Sequence, residues 1–473
     1  MLEPLRARLE DALDFAPLCG LLKKTPDGRL MHAPFALFPC PIDPASDAAL
    51  RALTAPFNRL TLAVSNDLDF LSEALAVAAG SDPFIERLLA IARAAGRRQP
   101  LQLQLIRSDY FLQPSGPGPL PQIRQVELNT IAASYLGLAG RVNRLHRHLL
   151  RDTGWSDALI ANDPIPGAVE GVAEALRRYG VPGACVAMVV QPGEANVFDQ
   201  RLLQMALSEA GVASRRVTLQ QIGRQGRLKE GHLVLDGQVI AMAYFRAGYG
   251  PEDYAEPSAW QGRELVENSS AIAVPTVATQ LAGTKKVQQL LATPQILRKF
   301  AADSDAARME AAFAGIFALE QPVESENGSQ PAWRAALAEP GGFVLKPQRE
   351  GGGHNLYGEE MVQRLNALKP AQRGAYILME RIRPFLHPVG LVADGTLSEE
   401  VGVSEIGRFG LLLAQGDELL RNDDLGYLVR TKGSEVREGG VSAGFGFLGS
   451  LLAMTPEQAY GRIPPNFPHP AAP

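Results

Sequence analysis

Cysteine is scarce in this sequence. Cys19, Cys40 and Cys185 are the whole complement, with no C-x-x-C pair and an odd count. That excludes a disulfide framework and a zinc site of Cys/His spacing, and reads as three reduced, mostly buried thiols. Positive charge is not in excess either: 46 Lys and Arg face 51 Asp and Glu, for a net charge of −5. The global field of a nucleic-acid binder is therefore missing. No stretch approaches the roughly 18 uninterrupted apolar residues of a membrane span. The N-terminus is charged from Glu3 and has no apolar h-region, so no secretory signal is expected. There is no G-x-S-x-G, no Cys/His nucleophile pair and no internal repeat. At 473 residues, 46% hydrophobic and 21% charged, what remains is a soluble cytoplasmic globular chain of roughly two to four structural units.

The first 20 residues place Leu2, Leu5, Leu9 and Leu13 on one helical face. The proline-rich stretch His32 to Pro44 is expected to be irregular. Residues 83–96 read as a helix, with proline near its start and glycine at its end. Alternating Leu and Gln at 101–112 is a strand signal, and 123–134 alternates again. From 184 the pattern is strand, helix, strand, then two apolar runs at 232–246 around Asp236-Gly237, a hairpin signature. An inserted α/β unit over 182–284 follows, between body segments 1–181 and 285–473. Residues 341–382 read strand, glycine loop, helix, strand, and 397–413 reads as another strand. The proline-rich end beyond 461 is expected to fray.

Several constellations could carry chemistry. Lys346 precedes Glu350, Gly351, Gly352, Gly353, His354 and Asn355. Three glycines after a strand let backbone N–H groups approach anionic oxygens, with Lys346 as a point charge and Glu350 at the lip as a cation ligand. This is not a Walker A loop, and a plain hairpin loop would look the same locally. Glu127 and Asn129 share one face of a strand. Carboxylate plus amide carbonyl suits Mg²⁺, although two solvated side chains would give the same spacing. Lys285-Lys286 and Arg430-Thr431-Lys432 are basic pairs beside turns, either exposed patches or anion contacts. Glu405 lies in an apolar run, and a buried carboxylate needs a partner. Gly444 to Gly449 matches G-x-G-x-x-G but lacks the strand and acidic residue of a dinucleotide site. His146 and His148, two residues apart, diverge on a helix and do not share a metal.

Five segments together closely resemble eukaryotic-type glutathione synthetases, a family of ATP-grasp ligases. They are IRSDYF (106–111), QVELNTIAAS (125–134), TQLAGTKKVQQ (279–289), FVLKPQREGGGHNLYGEEMVQ (343–363) and LVRTKGSEVREGGVSAG (428–444). NVFDQR (196–201) and YFRAGY (244–249) match as well, and the order holds from about 20 to 446. The resemblance implies a mixed α/β (α+β) ATP-grasp fold with an inserted α/β substrate-binding domain, a mobile lid at about 340–385 and a glycine-rich loop at about 433–446. It implies ligation of γ-glutamylcysteine with glycine at the expense of ATP, through an acyl phosphate, in a Mg²⁺-dependent homodimer without nucleic-acid or membrane partners. No protein nucleophile is required, which fits the absence of one.

Residue by residue, the resemblance puts Glu127, Asn129 and Glu350 on Mg²⁺. Lys285, Lys346 and Lys432 contact the ATP phosphates, under Gly351, Gly352 and Gly353, with Asn355, Tyr357 and Glu438 also at ATP. Met379, Glu380, Arg381 and Ile382 line the adenine pocket and Glu405 holds the ribose. Arg107, Ile131, Ala132, Ser134, Glu194, Asn196, Gln200, Arg246, Tyr249 and Arg430 bind γ-glutamylcysteine, and Val441 and Ser442 face the incoming glycine. Arg107, Lys346, Gly351, Gly352 and Arg430 are assigned to catalysis. Three positions depart from the family pattern: Ala132 replaces a usual serine, Glu438 a usual aspartate and Ser442 a usual alanine. The last two bear on acceptor choice, so a related ligase using β-alanine or serine is the nearest rival reading. A catalytically silent ATP-binding scaffold is the other. Nothing recognisable matches the tail past about 450.

Overall fold

The computed structural model describes residues 2–25, 27–80, 82–96, 98–114, 120–325, 328–348, 355–436, 441 and 446–460. Its centre is a sheet of seven strands. Their order is His387–Ala393, Phe35–Ala36, Phe447–Gly449, Glu418–Gly433, Thr396–Gln415, Leu101–Gln113 and Gln122–Asn129. His387–Ala393 also pairs with Thr396–Gln415, so the first five strands close on themselves. The Leu/Gln alternation is the strand Leu101–Gln113, and the apolar run at 397–413 is the long strand Thr396–Gln415.

Helices cover both faces of this sheet. One core gathers Leu103, Leu105, Phe409, Leu411 and Leu428 against helices Leu9–Leu18, Leu136–Leu149 and Ile165–Tyr179. The other gathers Ile106, Tyr110, Ile406 and Val429 against helix Pro44–Ser65 and the helices after it. Pro44–Ser65 starts where Asp43 accepts from the Ala45 N–H at 2.8 Å, with proline at the first helical position. Each buried Leu or Ile contributes roughly 1.5–3 kcal/mol, so these two layers dominate stability.

Two local expectations are corrected. The first 20 residues form two helices, Leu2–Arg6 and Leu9–Leu18, rather than one. The proline-rich stretch is not irregular. It supplies strands Phe35–Ala36 and Cys40–Ile42, and every residue from His32 to Ile42 is buried. Proline frequency argued for a loop, but Phe35, Leu37 and Phe38 gain more from burial than the missing N–H groups cost. Pro41 sits in a two-stranded pair with Leu451–Ala453, where a strand tolerates an absent donor.

Two smaller sheets flank the centre. In the first, Ser214–Val217, Cys185–Val189 and Gln238–Phe245 run parallel, with Ile272–Val274 also parallel to Gln238–Phe245. His232–Leu235 forms the expected hairpin with Gln238–Phe245. In the second, Tyr376–Glu380 lies between Ile316–Ala318 and Phe343–Pro347, all antiparallel. It packs helices Ala332–Ala338 and Gly358–Ala367 around Leu345, Met361, Leu365 and Leu378. The three cysteines are buried and unpaired, and burial pushes the Cys40 thiol up to about 11. Among the described residues no helix is long and apolar enough to cross a membrane.

Candidate active site

Strand register brings the site together. In Leu101–Gln113, Arg107 and Asp109 are two apart and point to one face. The register sets Arg107 opposite Asn129 and Asp109 opposite Glu127 on one neighbour. On the other side Asp109 lies opposite Gly407 and Arg107 opposite Phe409, and Glu405 in turn faces Arg430. Four strands thus present Arg107, Glu127, Asn129, Glu405, Arg430 and Lys432 to one concavity, with Asp109 buried beneath them. Pairing skips Val126 beside Asp109, and such a bulge re-aims side chains next to a site. The freed Val126 carbonyl accepts from Lys346 Nζ at 3.4 Å.

Asp109 is the hub of the charge network. Its side chain is fully buried and accepts from Arg107 Nε at 2.6 Å and Nη2 at 2.8 Å, a fork-to-fork pair. It also accepts from Arg430 Nη2 and from Asn129 Nδ2, each at 3.0 Å. Gly407 makes room: a Cβ there would lie 2.5 Å from Asp109 Oδ1 and 2.7 Å from Arg107 Cδ. Asp109 and Glu127, directly opposed carboxylates, repel each other. Burial raises the Glu127 carboxyl, but Lys285, Lys346 and Arg430 outweigh it and hold Glu127 well below the usual carboxylate range. Lys285 Nζ donates to Glu127 Oε2 at 2.6 Å. Glu405 is raised by burial, against the pull of Arg430, which donates to its Oε1. Burial lowers Arg430, but Glu405, Asp109 and Glu127 overcome that and raise it.

The loop after Asn129 forms the next wall. Ala132 and Tyr135 both adopt positive φ, +51° and +71°. For a residue with a Cβ this costs about 1–2 kcal/mol, and such strain gathers at functional sites. It turns the Ser134 carbonyl toward Arg107 Nη1 at 3.0 Å and the Ala133 carbonyl toward Arg246 Nη1 at 2.9 Å. Asp199 holds the loop from below. It accepts from the backbone N–H groups of Tyr135 and Gly137 at 2.8 Å, at the start of helix Leu136–Leu149. Glu194 accepts from Gln200 Nε2 at 2.6 Å and from the Asn196 N–H at 2.9 Å.

One cavity of about 810 Å³ receives nearly all the described residues named from sequence. Lys285, Lys346, Asn355, Tyr357, Met379, Glu380, Arg381, Ile382, Glu405 and Lys432 line one part. Arg107, Glu127, Asn129, Ile131, Ala132, Ser134, Glu194, Asn196, Arg246, Tyr249 and Arg430 line the rest. Gln200 is buried behind Glu194 and does not reach the wall, and Val441 packs in the apolar core. Glu350, Gly351, Gly352, Gly353, Glu438 and Ser442 lie outside the described residues. Sequence reading gave no role to Asp109, Gly407 or Asp199. The i, i+2 spacing from Arg107 was a usable signal for Asp109, and a glycine inside a strand for Gly407. Asp199 had none.

The donor set suits a hard divalent cation. Asn129 spends its amide nitrogen on Asp109, which leaves its oxygen as an acceptor two residues from the Glu127 carboxylate. Among the described residues no group of three or more His, Cys, Asp or Glu side chains could hold a metal alone. Along the strand Tyr376–Glu380 and just beyond it, the Glu380 N–H is taken by the Gly315 carbonyl and the Arg381 N–H by the Gly342 carbonyl, both at 2.7 Å.

Residues 6–452 match a family model described as eukaryotic glutathione synthase, ATP binding domain. The chain is 39% identical to glutathione synthetase of Xenopus laevis over 92% of its length and 94% of the relative's. It is 42% identical to that of Homo sapiens, covering 88% and 89%. With the chloroplastic glutathione synthetase of Solanum lycopersicum the figures are 39%, 93% and 83%. In fold it is similar to a glutathione synthetase-like effector from Globodera pallida, solved in apo form. That likeness has a TM-score of 0.77 at 21% identity and covers 95% of this chain and 96% of that one.

Proposed function

From the premise that this chain belongs to the eukaryotic glutathione synthase family, we propose how its cavity carries out the family reaction. The chain is an ATP-dependent ligase of glutathione synthesis with an ATP-grasp fold. The cysteinyl carboxylate of γ-glutamylcysteine takes the γ-phosphoryl group of ATP, forming an acyl phosphate and releasing ADP. The glycine amine, freed of its ammonium proton, then attacks the acyl carbon. A C–N bond forms, the C–O bond to phosphate breaks, and phosphate departs. No side chain becomes covalently attached, so catalysis rests on positioning and on neutralising charge.

The observation that carries this reading is the cation ring of Lys285, Lys346 and Arg430 around Glu127. Lys285, Lys346 and Lys432 receive the phosphates, and Gly351, Gly352 and Gly353, outside the described residues, are assigned to the same role from the resemblance. Glu127 and Asn129, with Glu350, hold Mg²⁺, which when bound withdraws charge from the transferring phosphoryl group. Ile382 offers the first unused backbone N–H after the adenine-side strand. Glu405, with only Oε1 engaged by Arg430, keeps Oε2 for a ribose hydroxyl. Arg107 and Arg246 orient the peptide carboxylates, and Tyr249, Asn196 and Glu194 its γ-glutamyl end. Segment 182–284 is the substrate-binding unit and 340–385 the lid, which opens for ATP and then excludes water. A cytoplasmic homodimer is the assembly we assign from the resemblance, and sedimentation would test the dimer.

ADP release with Mg-ATP, γ-glutamylcysteine and each of glycine, β-alanine and serine tests the assignment. Fastest turnover is expected with glycine. Faster turnover with β-alanine or serine would move the chain to the rival acceptor class. Tight ATP binding without any ADP release would make it a silent scaffold.

A further inference from the structure

A second concavity, about 600 Å³, lies between helices Pro44–Ser65 and Leu136–Leu149 and the strand Glu418–Gly433. None of its lining belongs to the catalytic cavity. Three arginines of helix Leu136–Leu149, Arg141, Arg144 and Arg147, face it. Spaced three apart, they climb the helix by about 9 Å in all. None forms an ion pair among the described residues. Arg147 Nη2 reaches only the Asn143 amide oxygen, at 3.5 Å. Two carboxylates share the lining with them, the exposed Asp163 and Asp424, which Arg408 engages.

Arg408 forms part of the floor and is 1% exposed. Asp424 takes its Nε at 3.0 Å and its Nη2, and Thr54 shares that carboxylate. Its Nη1 has no hydrogen-bond partner: the closest carboxylate oxygen, Asp47 Oδ1, stands 3.6 Å away and is itself unpartnered. An unsatisfied buried donor costs about 1–3 kcal/mol, more when charged, unless an acceptor arrives. Gly140 lets Asp163 pack close to the helix, because a Cβ there would lie 2.9 Å from Asp163 Oδ1. In a chain of net charge −5, three guanidinium groups without ion pairs among the described residues, over a floor with one unpartnered guanidinium donor, form a local anion trap. The volume suits a small organic molecule rather than a single ion.

We propose that this cleft is a second ligand site, separate from the catalytic cavity, for a small molecule bearing two or more phosphate or carboxylate groups. The arginines of the helix grip the outer anionic groups and Arg408 Nη1 receives the innermost.

Isothermal titration calorimetry with pyrophosphate, and separately with citrate, tests this on the full chain. Three proteins are compared: the wild type, Arg144→Glu/Arg147→Glu, and Lys346→Ala/Lys432→Ala, which weakens anion binding in the catalytic cavity. At least one probe is expected to bind about tenfold or more weakly to the Arg144/Arg147 variant. The lysine variant keeps that binding, and the arginine variant keeps wild-type ADP release, which also shows that it folds. Pyrophosphate alone identifies a phosphorylated ligand class, and citrate alone a carboxylate class. Equal binding to the arginine variant and the wild type, or loss of all binding in the lysine variant, overturns the proposal.

Discussion

Two arginine-rich concavities share this molecule, and they are built on opposite electrostatic plans. In the candidate active-site cavity Arg107, Arg246 and Arg430 are each held beside a carboxylate. Asp109 grips Arg107 and Arg430, Glu405 takes Arg430 as well, and Asp199 stands 3.8 Å from Arg246. In the second cleft Arg141, Arg144 and Arg147 form no ion pair among the described residues, and two of them are exposed. The lesson is about preorganisation. Buried arginines fixed by carboxylates present their remaining N–H groups at set positions with little entropy left to lose, which suits transition-state stabilisation. Solvated arginines on a helix adapt, which suits binding without chemistry.

The largest expected effect comes from removing the hub. Asp109→Asn leaves two buried guanidinium groups undercompensated, which should cost about 3–5 kcal/mol of stability, with turnover falling in parallel. Denaturant titration beside ADP release measures both, and an unchanged midpoint would show that the pairing is not structural. Glu127→Gln removes the carboxylate that the cation ring surrounds. Turnover should fall about a hundredfold or more while the KM for γ-glutamylcysteine stays close to wild type. A matching rise in that KM would place Glu127 at the peptide instead.

Acid should separate the two plans. His146 is buried on the inner side of the helix that carries the cleft arginines, and burial lowers it to about 4. His387 is lowered to about 4 in the same way. Their unfolded values are about 6.5. Between those limits the unfolded chain binds more protons, so stability falls as pH drops from 6.5 toward 4, by roughly 3 kcal/mol per histidine. Glu127 works in a different window. Its depressed value keeps it ionised there, and its contribution is lost progressively as pH falls from its unfolded value, about 4.5, through that low folded value. Thermal midpoints from pH 7 to pH 4.5 should decline, and less steeply in His146→Asn. Identical slopes would remove His146 from the account.

Gly407→Ala should have a smaller effect, about 1–3 kcal/mol of overpacking, read as a raised KM for γ-glutamylcysteine because the new Cβ displaces Arg107 and Asp109. Least of all, the Arg144→Glu/Arg147→Glu variant should leave turnover where it is. A large loss there would join the two concavities into one system.

Much of this was legible along the chain. The strands 101–113 and 396–415, the 232–246 hairpin and the gathering of Lys346, Arg430 and Lys432 in one cavity follow from alternation, turn chemistry and motif. The ordered path of His32–Ile42 was not, because proline content is a local signal and apolar burial is a global one. Spacing could place Glu127 and Asn129 on one face, since a strand fixes that by itself. It could not say that Asp109 would stand opposite Glu127, that Glu405 would stand opposite Arg430, or that Gly407 would leave the space between them. Those facts belong to the register of four strands drawn from two distant parts of the chain. Residue type determined which chemistry was available, because charge and donor count are covalent properties. Tertiary structure decided which charges meet and which stay unpaired, because only packing sets their distance and takes away their water.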